Sequence, residues 1–132
     1  MVIASELLDE VVAHALRDAP DECCGLIGVR DGQAVSVHAM ENLAHSPMRF
    51  EVDGPELFKV LTAIEDAGGE LGAIYHSHTR SAPYPSQTDL TFAANWPGVE
   101  WLIVGTAGAE PEVRSYRIDD GAIVEVDVTH GA

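Results

Sequence analysis

The chain is nearly devoid of cysteine: Cys23 and Cys24 are the only two in 132 residues. Adjacent cysteines rarely bridge, because a disulfide needs Cα atoms roughly 4.4–6.8 Å apart with converging Cβ vectors. With no third thiol to pair with, a reducing cytoplasm is the expected setting. Two thiols also fall short of a four-thiolate zinc site. Positive charge is scarce as well. Lys59 is the sole lysine among seven basic residues, against 22 acidic ones, for a formal net charge of −15. A surface this negative repels phosphate backbones, which removes nucleic acid from the expected partners. It leaves a basic partner or a salty cytoplasm as readings of the acidity. No apolar run approaches the roughly 18 residues a membrane span requires. The opening MVIASELLDEVV lacks both the basic start and the continuous apolar stretch of a secretory signal.

What is present reads as one α/β domain over residues 1–132, with enough apolar residues (46%) to build a core without staples. Leu7, Leu8, Val11, Val12, Ala15 and Leu16 recur at helical spacing and predict a helix over 6–17, capped by Ser5 and ended near Pro20. CCGLIGV (23–29) and AVSVHAM (34–40) predict strands joined at Asp31-Gly32, and MRFEV (48–52) a further short strand. A second helix is expected from Asp53, with Glu56 completing a capping box, Pro55 in its first turn, and Leu57, Val60, Leu61 and Ile64 buried. Gly68-Gly69 stop it. ELGAIYHSH (70–78) predicts a buried strand with a polar end. Ser86 is placed to cap a short third helix reaching about Asn95. Three closing strands follow, the last two joined at Asp120-Gly121. The order αβββαβαβββ implies a mixed, mostly antiparallel sheet flanked by helices.

One stretch stands apart: IYHSHTRSAPYPSQTD, residues 74–89. Side chains two apart on a strand share a face, so His76 and His78 project together. Asp89 falls in the first turn of the next helix, where the Pro-rich loop can fold it back over them. Two imidazoles, one carboxylate and an open fourth position describe a catalytic zinc site. Other divalent metals fit the same geometry, but soft metals would want sulfur donors that are missing here. Zinc in such a site lowers the pKa of water to roughly 7. Peptide hydrolysis further needs a base and a donor to the carbonyl oxygen as it turns negative. Ser86 lies near enough in sequence to be that donor; the base must come from elsewhere.

His-Ser-His, seven residues, Ser, two residues, Asp resembles the signature of the JAMM (MPN-plus) metalloprotease family, whose pattern adds a glutamate on an early strand. DECCGLIG supplies Glu22, followed closely by Cys-Gly-Leu. The resemblance runs over most of the chain, through the SYRIDDG hairpin, and is strongest toward small bacterial members of the CysO-cysteine peptidase type. It implies a cytidine deaminase-like layered fold, one Zn²⁺ per chain on His76, His78 and Asp89, Glu22 as general acid/base and Ser86 at the oxyanion. It further implies a partner: a ubiquitin-like sulfur carrier whose Gly-Gly tail is cut, releasing cysteine. The short chain suits an extended tail bound along a strand edge, and glycines let such a tail pass close to a metal.

Each residue also has a plainer role. Ser86 serves as a helix cap, Glu22 as a solvated strand end, and Cys23 and Cys24 as packing, without the cationic neighbour that activates a thiol. His14, His38, His45 and His130 read as surface or loop residues, and Trp96 and Trp101 as core or interface. Arg80 and Tyr84 lie in the loop beside the cluster, where they touch substrate or nothing. Two other functions compete: an isopeptidase removing a ubiquitin-like modifier from lysine, and a non-catalytic MPN interaction module. A deaminase-like zinc hydrolase lacks its expected cysteine ligands.

Overall fold

The computed structural model describes residues 1–131, with side chains through residue 129. In chain order the elements are β1 (Val2–Ala4), α1 (Ser5–Asp18), β2 (Cys24–Arg30), β3 (Gln33–Met40), α2 (Gly54–Asp66), β4 (Glu70–His78), α3 (Gln87–Ala93), β5 (Glu100–Gly105), β6 (Glu112–Asp119), β7 (Ala122–Val126) and β8 (Thr129–Gly131). The strands form one sheet in the order β7-β6-β5-β4-β2-β3-β1-β8. The β4–β5, β1–β3 and β1–β8 pairs are parallel and the remainder antiparallel. The Asp-Gly turns behave as their sequence predicts. Asp31 and Gly32, and Asp120 and Gly121, all have positive φ, which matches hairpin twist.

Strand periodicity sends side chains to two cores. On one face, Leu8, Val11 and Ala15 of α1 pack with Ile3, Ile27, Ala73, Tyr75, Leu102 and Val104. On the other, Leu26, Ile74, Trp101, Ile103, Tyr116 and Ile118 pack under Ile64 of α2 and Ala93 of α3. β4 therefore shows Tyr75 to α1 and His76 to α2 and α3, a one-residue alternation that positions the site.

Several expectations are corrected. MRFEV is not a strand; its backbone binds the side chain of Asn42 and the backbone of Leu43 instead of a ladder. Strands β1 and β8, three residues each, were not expected. Ser5 does not cap α1: the cap position is Ala4, with no side-chain bond. The buried stripe of α1 is rotated, so that His14 is buried and Leu16 is 52% exposed. His14 is thus not a surface residue. It accepts that position because Tyr75 Oη and Asp18 satisfy both ring nitrogens, at 2.7 and 3.0 Å. At α2, the Asp53 carboxylate accepts from the Glu56 N–H, which is half of the expected box. Gly69 N–H donates to Ile64 O and Gly68 N–H to Glu65 O, closing the helix with Gly68 at φ 85°. His38 is half-buried against Ser36 and His45 is exposed in a loop; the side chain of His130 lies outside the described residues. Trp101 is in the core and Trp96 is half-buried at its margin.

Candidate metal centre

β4 runs through the middle of the sheet, between β2 and β5, and delivers His76 and His78 on the α2/α3 face. The chain then turns through residues 79–85, and Ala82 and Pro83 fasten the loop at three points. His78 Nδ1 lies 2.9 Å from Ala82 O, to which it donates. Tyr116 Oη donates to Pro83 O at 2.6 Å. Pro83 also rests on Gly105, where a Cβ would sit 2.8 Å from its ring, so the loop closes onto β5 only because that residue is glycine. The loop ends at Ser86, which caps α3. Ser86 Oγ accepts from the Asp89 N–H at 3.1 Å, and Asp89 Oδ2 accepts from the Ser86 N–H at 2.9 Å. This reciprocal box fixes the Asp89 carboxylate toward the histidines.

The result is a nearly equilateral triangle of donor atoms. His76 Nε2 and His78 Nε2 are 3.1 Å apart, and Asp89 Oδ2 is 3.1 and 3.2 Å from them. All three residues are buried. With its Nδ1–H committed to Ala82, His78 in the neutral form that a metal requires turns an Nε2 lone pair toward a carboxylate oxygen; without a metal, the bonds to Asp89 and Ala82 favour its protonated form against the effect of burial. Lone pairs converging in a desolvated pocket repel one another unless a cation sits among them. Zinc bonds of about 2.0–2.1 Å at tetrahedral angles put ligand atoms roughly 3.3–3.4 Å apart, close to the observed edges. The residues present therefore fit a divalent metal. His76 is held by packing, with Phe50 4.9 Å and Trp101 6.2 Å from its ring centre. Its Nδ1 has no hydrogen-bond partner among the described residues.

Glu22 arrives from across the sheet. Cys24 pairs with His76 in the antiparallel β2–β4 register, and Ser77 N–H donates to Cys23 O at 3.2 Å. Extending the register places Glu22 opposite His78. Glu22 is 5% exposed, and a carboxylate oxygen lies within 4.8 Å of the histidine donor atoms. Burial pushes its carboxyl up to about 7; the positive His78 opposes that rise and the Asp89 charge adds to it. Burial alone would likewise raise Asp89, but the imidazoles and the Ser86 amide hold it well below the usual carboxylate range. Ser86 itself is exposed, and because its oxygen accepts from Asp89 its O–H remains free to donate.

The structure thus brings Glu22, His76, His78, Ser86 and Asp89 together. Cys23 and Cys24 are buried on opposite sides of β2, with thiols raised to about 12 by burial. Arg80 and Tyr84 are exposed in the loop, Tyr84 edge-on to Tyr116. β2 and β4 are each paired on both sides, so a substrate tail finds no open edge at those two strands. Sequence reasoning missed Phe50, which stacks between His76 and Phe92, and Asn42, which is buried beside Glu22.

Residues 4–119 match the family of prokaryotic homologs of the JAB domain. The chain belongs to this family. Among curated relatives it is similar to the CysO-cysteine peptidase of Mycobacterium tuberculosis, 40% identical over 131 residues, covering 97% of this chain and 89% of that protein. It is also similar to the desampylase of Haloferax volcanii, 37% identical over 113 residues, covering 80% and 81%. Among solved structures, a protein of Desulfitobacterium hafniense superposes with a TM-score of 0.87 at 27% identity, covering 98% of this chain and 92% of that one. Proteins named as a peptidase and a desampylase are thus among the relatives of this chain.

Proposed function

We propose that this JAB-domain chain is a zinc-dependent peptidase, a single domain over residues 1–132, that works in the cytoplasm. It cuts after the Gly-Gly tail of a ubiquitin-like sulfur carrier and releases cysteine. The observation that carries the reading is the buried triangle of His76, His78 and Asp89, with the Glu22 carboxylate beside it but outside the closest contacts. Its two adjacent, buried thiols suit a reducing compartment.

His76, His78 and Asp89 would hold the zinc, which would supply Lewis acidity and a water nucleophile competent near neutral pH. Glu22 would take the proton of that water and pass it to the leaving amine, a role that suits a buried carboxylate beside the two histidines. The Ser86 O–H donates to the scissile carbonyl oxygen as negative charge grows there. Asp89 performs a second task by holding the Ser86 backbone, so ligand and oxyanion donor move as one unit.

The curated relatives act on differently named conjugates, which makes linkage the point to test. Carrier ending in Gly-Gly-Cys and carrier joined through Gly-Gly to a lysine ε-amine are incubated with the zinc-loaded protein and followed by mass spectrometry. Faster release of cysteine supports the proposal. Faster release from lysine reassigns the chain as a deubiquitinase-like isopeptidase. Cleavage of neither, with zinc bound, leaves a non-catalytic MPN module.

A further inference from the structure

Glu22 precedes β2, and its own N–H and C=O make no strand-ladder bond. Both of its main-chain groups are nevertheless bound, and by the same loop. Its N–H donates to Ser46 O at 2.9 Å, and its carbonyl accepts from Asn42 Nδ2 at 3.0 Å. Asn42 lies just beyond the end of β3 and is 5% exposed. Its Nδ2 also donates to Arg49 O at 3.0 Å. Its Oδ1 accepts from the Ala44 and Glu51 N–H groups, both at 3.0 Å. The side-chain amide thus makes all four hydrogen bonds available to it. Two of the anchored residues, Arg49 and Glu51, flank Phe50, whose ring lies against His76. One buried amide therefore ties the backbone of Glu22 to the segment that packs on the metal-site imidazole.

We propose that Asn42 is a positioning residue for hydrolysis, setting Glu22 and Phe50 against the metal centre. The inference rests on the reading of Glu22 as general acid/base. Its logic is that of an over-determined joint: a fully satisfied buried amide rigidifies what it binds, and a displacement of about 1 Å in a reacting group can cost on the order of 10²-fold in rate. Among the described residues, no other side chain donates to the Glu22 carbonyl.

The test is Asn42→Asp, which keeps the shape and the two accepting contacts but sets a carboxylate oxygen against two carbonyls. Asn42→Ala, which adds no charge, is measured beside it. Both are assayed as zinc-loaded protein on the carrier substrate, well below their unfolding temperatures. Expected are full zinc occupancy, KM within about threefold of the parent, and kcat lowered by about 10- to 100-fold. Each change is then combined with Glu22→Gln. If Asn42 acts through Glu22, the double variant is no slower than Glu22→Gln alone. Unchanged kcat, a loss confined to KM, or full additivity with Glu22→Gln overturns the proposal. In the parent protein, nuclear magnetic resonance should find the Asn42 side-chain amide protons slow to exchange with solvent; fast exchange overturns the clamp without any variant. A parent enzyme indifferent to Glu22→Gln would instead refute the proposed function itself.

Discussion

Strand β4 carries a histidine–aspartate cluster on each of its faces, and the two differ in one respect that matters. On the α1 face, Tyr75 Oη, His14 and Asp18 form a chain in which donors meet acceptors: the Tyr75 hydroxyl is 2.7 Å from one ring nitrogen, and the other lies 3.0 Å from the carboxylate. That chain is complete. Neutral His14 satisfies it, and burial lowers the pKa of His14 even though Asp18 opposes the shift. On the opposite face, one residue further along, His76, His78 and Asp89 bring three possible ligand atoms within 3.1–3.2 Å of one another. With both imidazoles neutral and their Nε2 lone pairs turned inward, that set calls for a cation. The residue types are nearly the same; the convergence of three possible ligand atoms on one point separates the candidate metal centre from the structural cluster.

The largest expected effect breaks the second cluster. His76→Ala and Asp89→Ala should each lose zinc on elemental analysis and fall to background hydrolysis, whereas His14→Ala keeps its zinc. Next, Ser86→Ala should retain zinc and slow turnover by about 10²- to 10³-fold, and Glu22→Gln should retain zinc and slow it by at least about 10²-fold; unchanged turnover in Ser86→Ala would leave that residue as a cap alone. His14→Phe tests the first cluster. It strands the Tyr75 hydroxyl in the core and should cost about 1–3 kcal/mol in urea unfolding, with zinc content unchanged.

The pH response sharpens the contrast. The folded-state pKa of His14 lies below its unfolded value of about 6.5, so the unfolded chain binds more protons below that pH. Its contribution to stability is therefore complete above about 6.5 and is lost as pH falls toward the folded pKa. His14→Phe should flatten this part of the stability–pH curve; an unchanged slope would mean that the histidine is not buried neutral. The smallest effect is expected of Cys23 and Cys24. With thiols near 12, neither should be alkylated by iodoacetamide at pH 8 until the protein unfolds.

What the sequence discloses follows the range of the interactions involved. The Asp-Gly hairpins, the Ser86 cap and the shared face of His76 and His78 are set by neighbours a few residues away, and all appear in the structure. Strands β1 and β8 are three residues long and exist because distant segments pair, so no local pattern marks them. MRFEV has strand composition but no ladder partner, since Asn42 and Leu43 occupy its polar groups. The burial of His14 depends on Tyr75, far along the chain, and a lone histidine in a helical pattern gives no sign of it. Glu22 was reached only through family resemblance, because its approach to the cluster is made by sheet register. Asn42 had no signal at all: one asparagine in a polar loop looks like any other until its four partners are in place.

The central claim is that His76, His78 and Asp89, and not Glu22, hold the metal. A crystal of the zinc-loaded protein, measured on both sides of the zinc absorption edge, tests it most directly. The predicted result is one anomalous peak per chain, about 2.0–2.1 Å from His76 Nε2, His78 Nε2 and Asp89 Oδ2, with the Glu22 carboxylate near but not bonded. A peak bonded to Glu22 in place of Asp89, or no peak between the two histidines, would contradict it.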